Sequence, residues 1–116
     1  MNRLNAFLFG AVLTASAAAH AHHGWMSYDA SQTLTLTGKV VASGYEHPHG
    51  YVKLATQDKT WTVVLAPPSR MERRGLPREA IAAGATVTIV GYPHRETVDE
   101  LRAERITAGG NTVELR

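Results

Sequence analysis

Ala66-Pro67-Pro68-Ser69-Arg70-Met71-Glu72-Arg73-Arg74-Gly75-Leu76-Pro77 is the stretch that decides how the rest of the chain is read. Two adjacent prolines end any β-ladder, because neither has an N–H to donate. Ser69 followed three residues later by Glu72 has capping-box spacing, which predicts a helix start at Ser69. Gly75 predicts a stop after little more than one turn. Pro77 suits the first position of a second short helix, 78–83, closed by Gly84. The stretch is thus a short helical break between two regions of strand-like alternation.

Upstream, Leu34, Leu36, Val40 and Ala42 share one phase of a long period-two run, with Thr33, Thr35, Thr37, Lys39 and Val41 in the other. Gly38 sits in its middle, where a strand would bulge or bend. Gly44-Tyr45-Glu46-His47-Pro48-His49-Gly50 is a turn. The second strand spans 51–55, with Val52 and Leu54 inward. A turn at Thr56-Gln57-Asp58-Lys59 leads into a third, with Trp61, Val63 and Leu65 on one face. Downstream, Val87, Ile89 and Gly91 share a face of a fourth strand, and 93–100 reads as a loop. A fifth strand covers 101–107. Its Leu101 and Ala103 share a phase that Ile106 breaks, which predicts a bulge. A turn at Ala108-Gly109-Gly110-Asn111 leads to a short last strand. Three strands, a helical crossover and two or three more strands is the order of a mainly β, OB-like barrel of five or six strands, with a split α+β sheet as the alternative. In an OB barrel the loops after strands 1 and 4 border the binding face. Here they carry His47 and His49, and His94.

The chain has 116 residues. Residues 1–21 read as a secretory signal: Arg3 as the positive end, an apolar run from Ala6 to Leu13, and small-x-small cleavage sites at Ala17-Ala18-Ala19 and Ala19-His20-Ala21. The apolar run is too short for a membrane span. Residues 22–116 then form one domain, and the expected location is a bacterial periplasm or the exterior, soluble after cleavage. With no cysteine, the chain has neither a disulfide nor a thiolate ligand. The formal charge is +2. So small an excess does not call for nucleic acid, and no membrane partner is expected once the signal is removed.

Histidine is the chemistry-bearing residue. The six are His20, His22, His23, His47, His49 and His94. Cleavage after Ala21 leaves His22 first, and its amine and imidazole can chelate one ion. Cleavage after Ala19 leaves His20-Ala21-His22, whose amine, two amides and third-residue imidazole form a square-planar nitrogen set suited to Cu(II) or Ni(II). His47 and His49 flank Pro48 and point the same way if the turn is extended. Glu46 is a candidate acceptor for an imidazole N–H. Met71 suits the core better than a Cu(I) site, Trp25 and Trp61 read as core anchors, and Arg70, Arg73 and Arg74 as a solvated helix end. No nucleophile elbow or phosphate loop is present.

The chain resembles a family of small exported bacterial proteins of unknown function. The resemblance rests on His22-His23-Gly24-Trp25, Tyr45-Glu46-His47-Pro48-His49-Gly50, Ala66-Pro67-Pro68-Ser69-Arg70-Met71, Gly75-Leu76 and Gly91-Tyr92-Pro93-His94-Arg95. Family members often carry Asn at the place of His47, so His49 is the more family-like of the pair. The resemblance implies no activity. The expectation is an exported metal carrier or delivery protein binding copper, with zinc or nickel compatible, through His22, His23, His47, His49 and His94. The alternatives are a metal-free module binding a ligand or a periplasmic protein partner, and an oxidative copper enzyme with an N-terminal histidine brace. No catalytic residue is assigned.

Overall fold

The computed structural model describes residues 24–116, so the expected signal segment and His20, His22 and His23 lie outside the described residues. Six strands form one sheet: β1 (Leu34–Gly44), β2 (Tyr51–Ala55), β3 (Thr60–Val64), β4 (Thr86–Pro93), β5 (Glu100–Ala108) and β6 (Asn111–Glu114). The order is β3-β2-β1-β4-β5-β6, and a parallel β3–β5 pairing joins the ends. Strands β1 to β5 therefore close into a barrel, with β6 added to β5. This is the OB-like order expected from the sequence.

Closure needs β1 to serve two neighbours. Its first half pairs with β4, Leu34↔Gly91 to Lys39↔Thr86, and its second half with β2, Lys39↔Ala55 to Gly44↔Tyr51. The changeover falls beside Gly38, where an added Cβ would lie 2.3 Å from the Ala55 carbonyl oxygen. Gly38 thus permits a close backbone approach. The bulge itself comes further along, between Val40 and Ala42. It corrects the expected phase: Val40 is buried, but Ala42 is exposed.

The bulge expected in β5 is present. Val90 pairs with Arg105 and Gly91 with Ala103, which skips Glu104. One extra residue lets Leu101, Ala103 and Ile106 all face inward despite their broken phase. The freed Glu104 carbonyl accepts the Leu115 N–H at 2.7 Å.

The crossover consists of α1 (Pro68–Arg73) and the 3-10 helix η1 (Arg78–Ile81). Ser69 is not the cap that its spacing suggests. The helix starts one residue earlier, with Pro67 at the N-cap and Pro68 inside the first turn, and no side chain caps it. Proline at N1 has no N–H to leave unsatisfied and its φ is already helical, so the prolines set the start. Gly75, at φ 90°, ends α1 as expected. The second element is a shorter 3-10 turn than expected and ends at Ala82. Met71, Leu76 and Ile81 from the crossover are fully buried with Val52, Leu54, Val63, Ile89, Leu101 and Ile106. Each such side chain contributes about 1.5–3 kcal/mol of transfer free energy. Met71 is a core residue, as its sequence context suggested. Among the described residues no helix is long and apolar enough to cross a membrane.

Candidate functional site

The loop between β1 and β2 is clamped at both ends. Tyr45 is buried, and its hydroxyl donates to the Leu76 carbonyl at 2.5 Å. The Gly50 N–H donates to Ala66 O, and the Leu65 N–H to Gly50 O. Gly50 has no room for a side chain, because a Cβ would lie 2.6 Å from Met71 Cε. Between these anchors Glu46, His47, Pro48 and His49 are exposed, and the His47–Pro48 bond is cis. His47, His49 and Glu46 line one shallow cleft with Ser43, Gly44 and Tyr51. The two histidines flanking Pro48 thus share a cleft.

His94 sits at the end of β4 in a different role. Its Nδ1 accepts the amide N–H groups of Glu96 (3.1 Å) and Thr97 (2.8 Å). A neutral ring therefore carries its proton on Nε2, which lies 3.9 Å from Glu100 Oε2. A metal at Nε2 requires the proton to move to Nδ1, which breaks the hydrogen bonds that Nδ1 accepts from the two amides. In this arrangement His94 organises its own loop.

The N-terminal segment folds back onto the barrel. The Asp29 N–H donates to Pro93 O, and the Arg95 N–H donates to Ser27 O, each at 2.8 Å. Arg95 Nε donates to Met26 O. Tyr28 is buried, stands edge-on to the His94 ring at 5.0 Å between centroids, and donates its hydroxyl to Glu100. Burial, then that hydrogen bond and the Glu100 charge, push the Tyr28 phenol well above its ordinary pKa.

Arg102 lies at the centre of these elements. Its backbone pairs with Tyr92 of β4 and Val64 of β3, at the seam where the barrel closes. Its guanidinium carbon lies 4.4 Å from the centre of the Trp25 ring and 6.0 Å from that of Tyr28. The Arg116 guanidinium lies 4.5 Å from the Trp25 ring centre, and Tyr92 meets Trp25 edge-on at 6.2 Å. Trp25 is therefore an arginine-stacked clasp, not the core anchor expected. Burial lowers the Arg102 pKa, with the charges of Arg70 and Arg116 acting in the same direction. His49 is lowered too, by partial burial and then by the Arg102 charge. Neutral imidazole is the form that ligates metals. Arg102 thus touches the N-terminal segment directly and acts on His49, while Tyr28 links it to His94. No such role for Arg102 was expected. Among the described residues no three His, Cys, Asp or Glu side chains stand together as a group able to hold a metal ion.

A family model described as "Family of unknown function (DUF6152)" matches residues 11–101. The chain belongs to DUF6152. No curated protein matches it. Among solved structures, this DUF6152 protein is similar to TiaS in complex with an isoleucine tRNA and ATP, at 19% identity and a TM-score of 0.53, over 77% of this chain and 20% of that one. It is also similar to TiaS in complex with the same tRNA, AMPCPP and agmatine, at 20% identity and a TM-score of 0.52, with the same shares covered. The DUF6152 chain spans about a fifth of the length of these structures, and at such identity the likeness is one of fold. The basic helix end is solvated at Arg73 and Arg74, as expected, while Arg70 is half-buried; Arg70 donates to Leu115 O, and Arg74 to Glu114 O and Arg116 O, tying α1 to residues 114–116.

Proposed function

We propose that this protein is an exported carrier of a copper-type metal ion, held by His22 or His23 from the N-terminal side and by His49, with His47 in the same cleft. The observation that carries the reading is the docking of residues 24–28. Trp25 is clasped on Arg102, the same side chain whose charge reaches His49. Two residues span at most about 7 Å, which is the reach beyond Gly24 that this reading requires of the chain. The chemistry of the surroundings narrows the metal. Calcium and magnesium need several oxygen ligands, usually carboxylates, whereas a site bordered by guanidinium groups favours neutral nitrogen donors, which suit copper, nickel or zinc. His94 has a positioning role in this reading: it orders the loop to which Ser27 and Tyr28 bind.

The test uses natively exported, tag-free protein. Intact mass fixes the N-terminus, and Cu(II) titration is followed by EPR. One-to-one binding with a multi-nitrogen signal, weakened at least tenfold by His49→Ala, supports the shared site. Binding indifferent to His49→Ala reduces it to an N-terminal chelate. Absence of stoichiometric binding sinks the metal reading.

A further inference from the structure

The guanidinium carbons of Arg102 and Arg116 both lie at the Trp25 ring, 4.4 and 4.5 Å from its centre, and the charges of Arg70 and Arg116 each push the Arg102 pKa down. Like charges gather at a cost unless something of opposite sign joins them. Among the described residues no Asp or Glu side chain pairs with them. The ion pairs there are Lys59–Asp99, His94–Glu100, Arg95–Asp29 and Arg105–Glu114, and none involves these three arginines. Glu100 is occupied by Tyr28, and Glu104 by Tyr92. Arg102 Nε is also shut off from solvent and has no hydrogen-bond partner among the described residues. A buried charged donor without an acceptor is costly. Trp25, whose ring meets both the Arg102 and Arg116 guanidinium groups, compensates only in part, since it carries no net charge.

We infer that Arg102 and Arg116 form a receptor for one oxyanion group, a carboxylate or phosphate carried by a small soluble ligand, bound beside Trp25. The planar guanidinium fork matches those anions through paired N–H···O bonds, which a spherical halide cannot use. The ligand supplies negative charge beside the buried Nε and accepts from the outer N–H groups of the two guanidinium forks. Because Arg102 stacks on Trp25, the N-terminal clasp senses the ligand. The site does not depend on the metal reading, since neither arginine is a metal ligand.

The experiment uses full-length mature protein stripped of metal and then exchanged into chelator-free buffer at fixed ionic strength. Inorganic phosphate and acetate are titrated separately, with chloride as control, and the Arg102 Nε–H and Trp25 indole N–H signals are followed by NMR. The expected result is saturable one-to-one shifts of both signals with phosphate, acetate or both. The arm that saturates at lower concentration identifies the anion class. Arg102→Gln is expected to weaken binding at least tenfold. Arg116→Gln, at an exposed position that should fold normally, is expected to weaken it severalfold. Shifts no larger than those from chloride overturn the proposal, as does full affinity in a folded Arg116→Gln protein together with a folded Arg102→Gln protein. Copper titration of the same sample separates this outcome from failure of the metal reading.

Discussion

Replacing Trp25 by Ala tests whether the N-terminal segment is a locally held clasp or part of the barrel core. The side chain makes three specific ring contacts: Arg102 at 4.4 Å, Arg116 at 4.5 Å and the edge of Tyr92 at 6.2 Å. Each cation–π contact at a half-exposed site contributes about 0.5–1 kcal/mol. The aromatic pair contributes about 0.5–1.5 kcal/mol. The sum is about 1.5–3.5 kcal/mol, and about 2 kcal/mol corresponds to roughly a 30-fold change in the docking equilibrium. Hydrogen exchange reports that equilibrium directly, because the Asp29 and Arg95 amides bond across the docked interface to Pro93 O and Ser27 O. In Trp25→Ala those two amides are expected to exchange about 30-fold faster. Amides in the middle of β2 and β4 should change by less than about threefold, as a local opening predicts. Equal acceleration throughout would make Trp25 a global core residue. No acceleration at Asp29 or Arg95 would show that the ring contacts do not hold the segment.

Gly91→Ala places a Cβ 2.2 Å from Arg102 O and 2.9 Å from Ala103 Cα, so backbone must shift at the seam. A loss of about 3 kcal/mol is expected, read as a fall in Tm of at least about 10 °C; an unchanged Tm refutes the close packing. Asp29 is held down to about 2 by hydrogen bonds from the Ser31 side chain, then the Gln32 side chain and the Ser31 amide, with Arg95 adding its charge. Its folded pKa lies below the ordinary 3.8, so its stabilisation is present above 3.8 and is lost as the pH falls from there through about 2. Asp29→Asn should flatten that part of an acid-unfolding curve, and an identical curve would count against the local network. By NMR, His49 should titrate below 6.5, and Arg102→Met should raise its midpoint, because the opposing charge is gone. A midpoint that stays put or falls would break the link between Arg102 and the histidine cleft.

The barrel was legible because alternation and turn chemistry are local. Val52 and Leu54 announce an inward face, Gly109 and Gly110 a tight turn, and the phase break between Ala103 and Ile106 a bulge. The Ser69 cap misled because two prolines already satisfied the helix start. The site was half legible. Histidine spacing pointed to the loop cleft, but the Nδ1 bonds of His94 depend on where the Glu96 and Thr97 amides turn, which composition does not encode. Arg102 gave no signal. An outward arginine between inward Leu101 and Ala103 reads as an ordinary solvated strand residue, and its stacking partner Trp25 is 77 positions away.

The β3–β5 pairing has a further consequence. It joins Val63 to Leu101 and Val64 to Arg102, segments separated by the whole crossover and β4. Contacts so distant in sequence incur a loop-closure entropy that local hairpins avoid, and they belong to the slow part of assembly. Arg102 sits on that seam, opposite Val64 on one side and Tyr92 on the other. A chain with its hairpins made but its seam open has only the Tyr92 side of that setting. Any occupant that recognised only the closed form would therefore raise the equilibrium stability of the whole barrel.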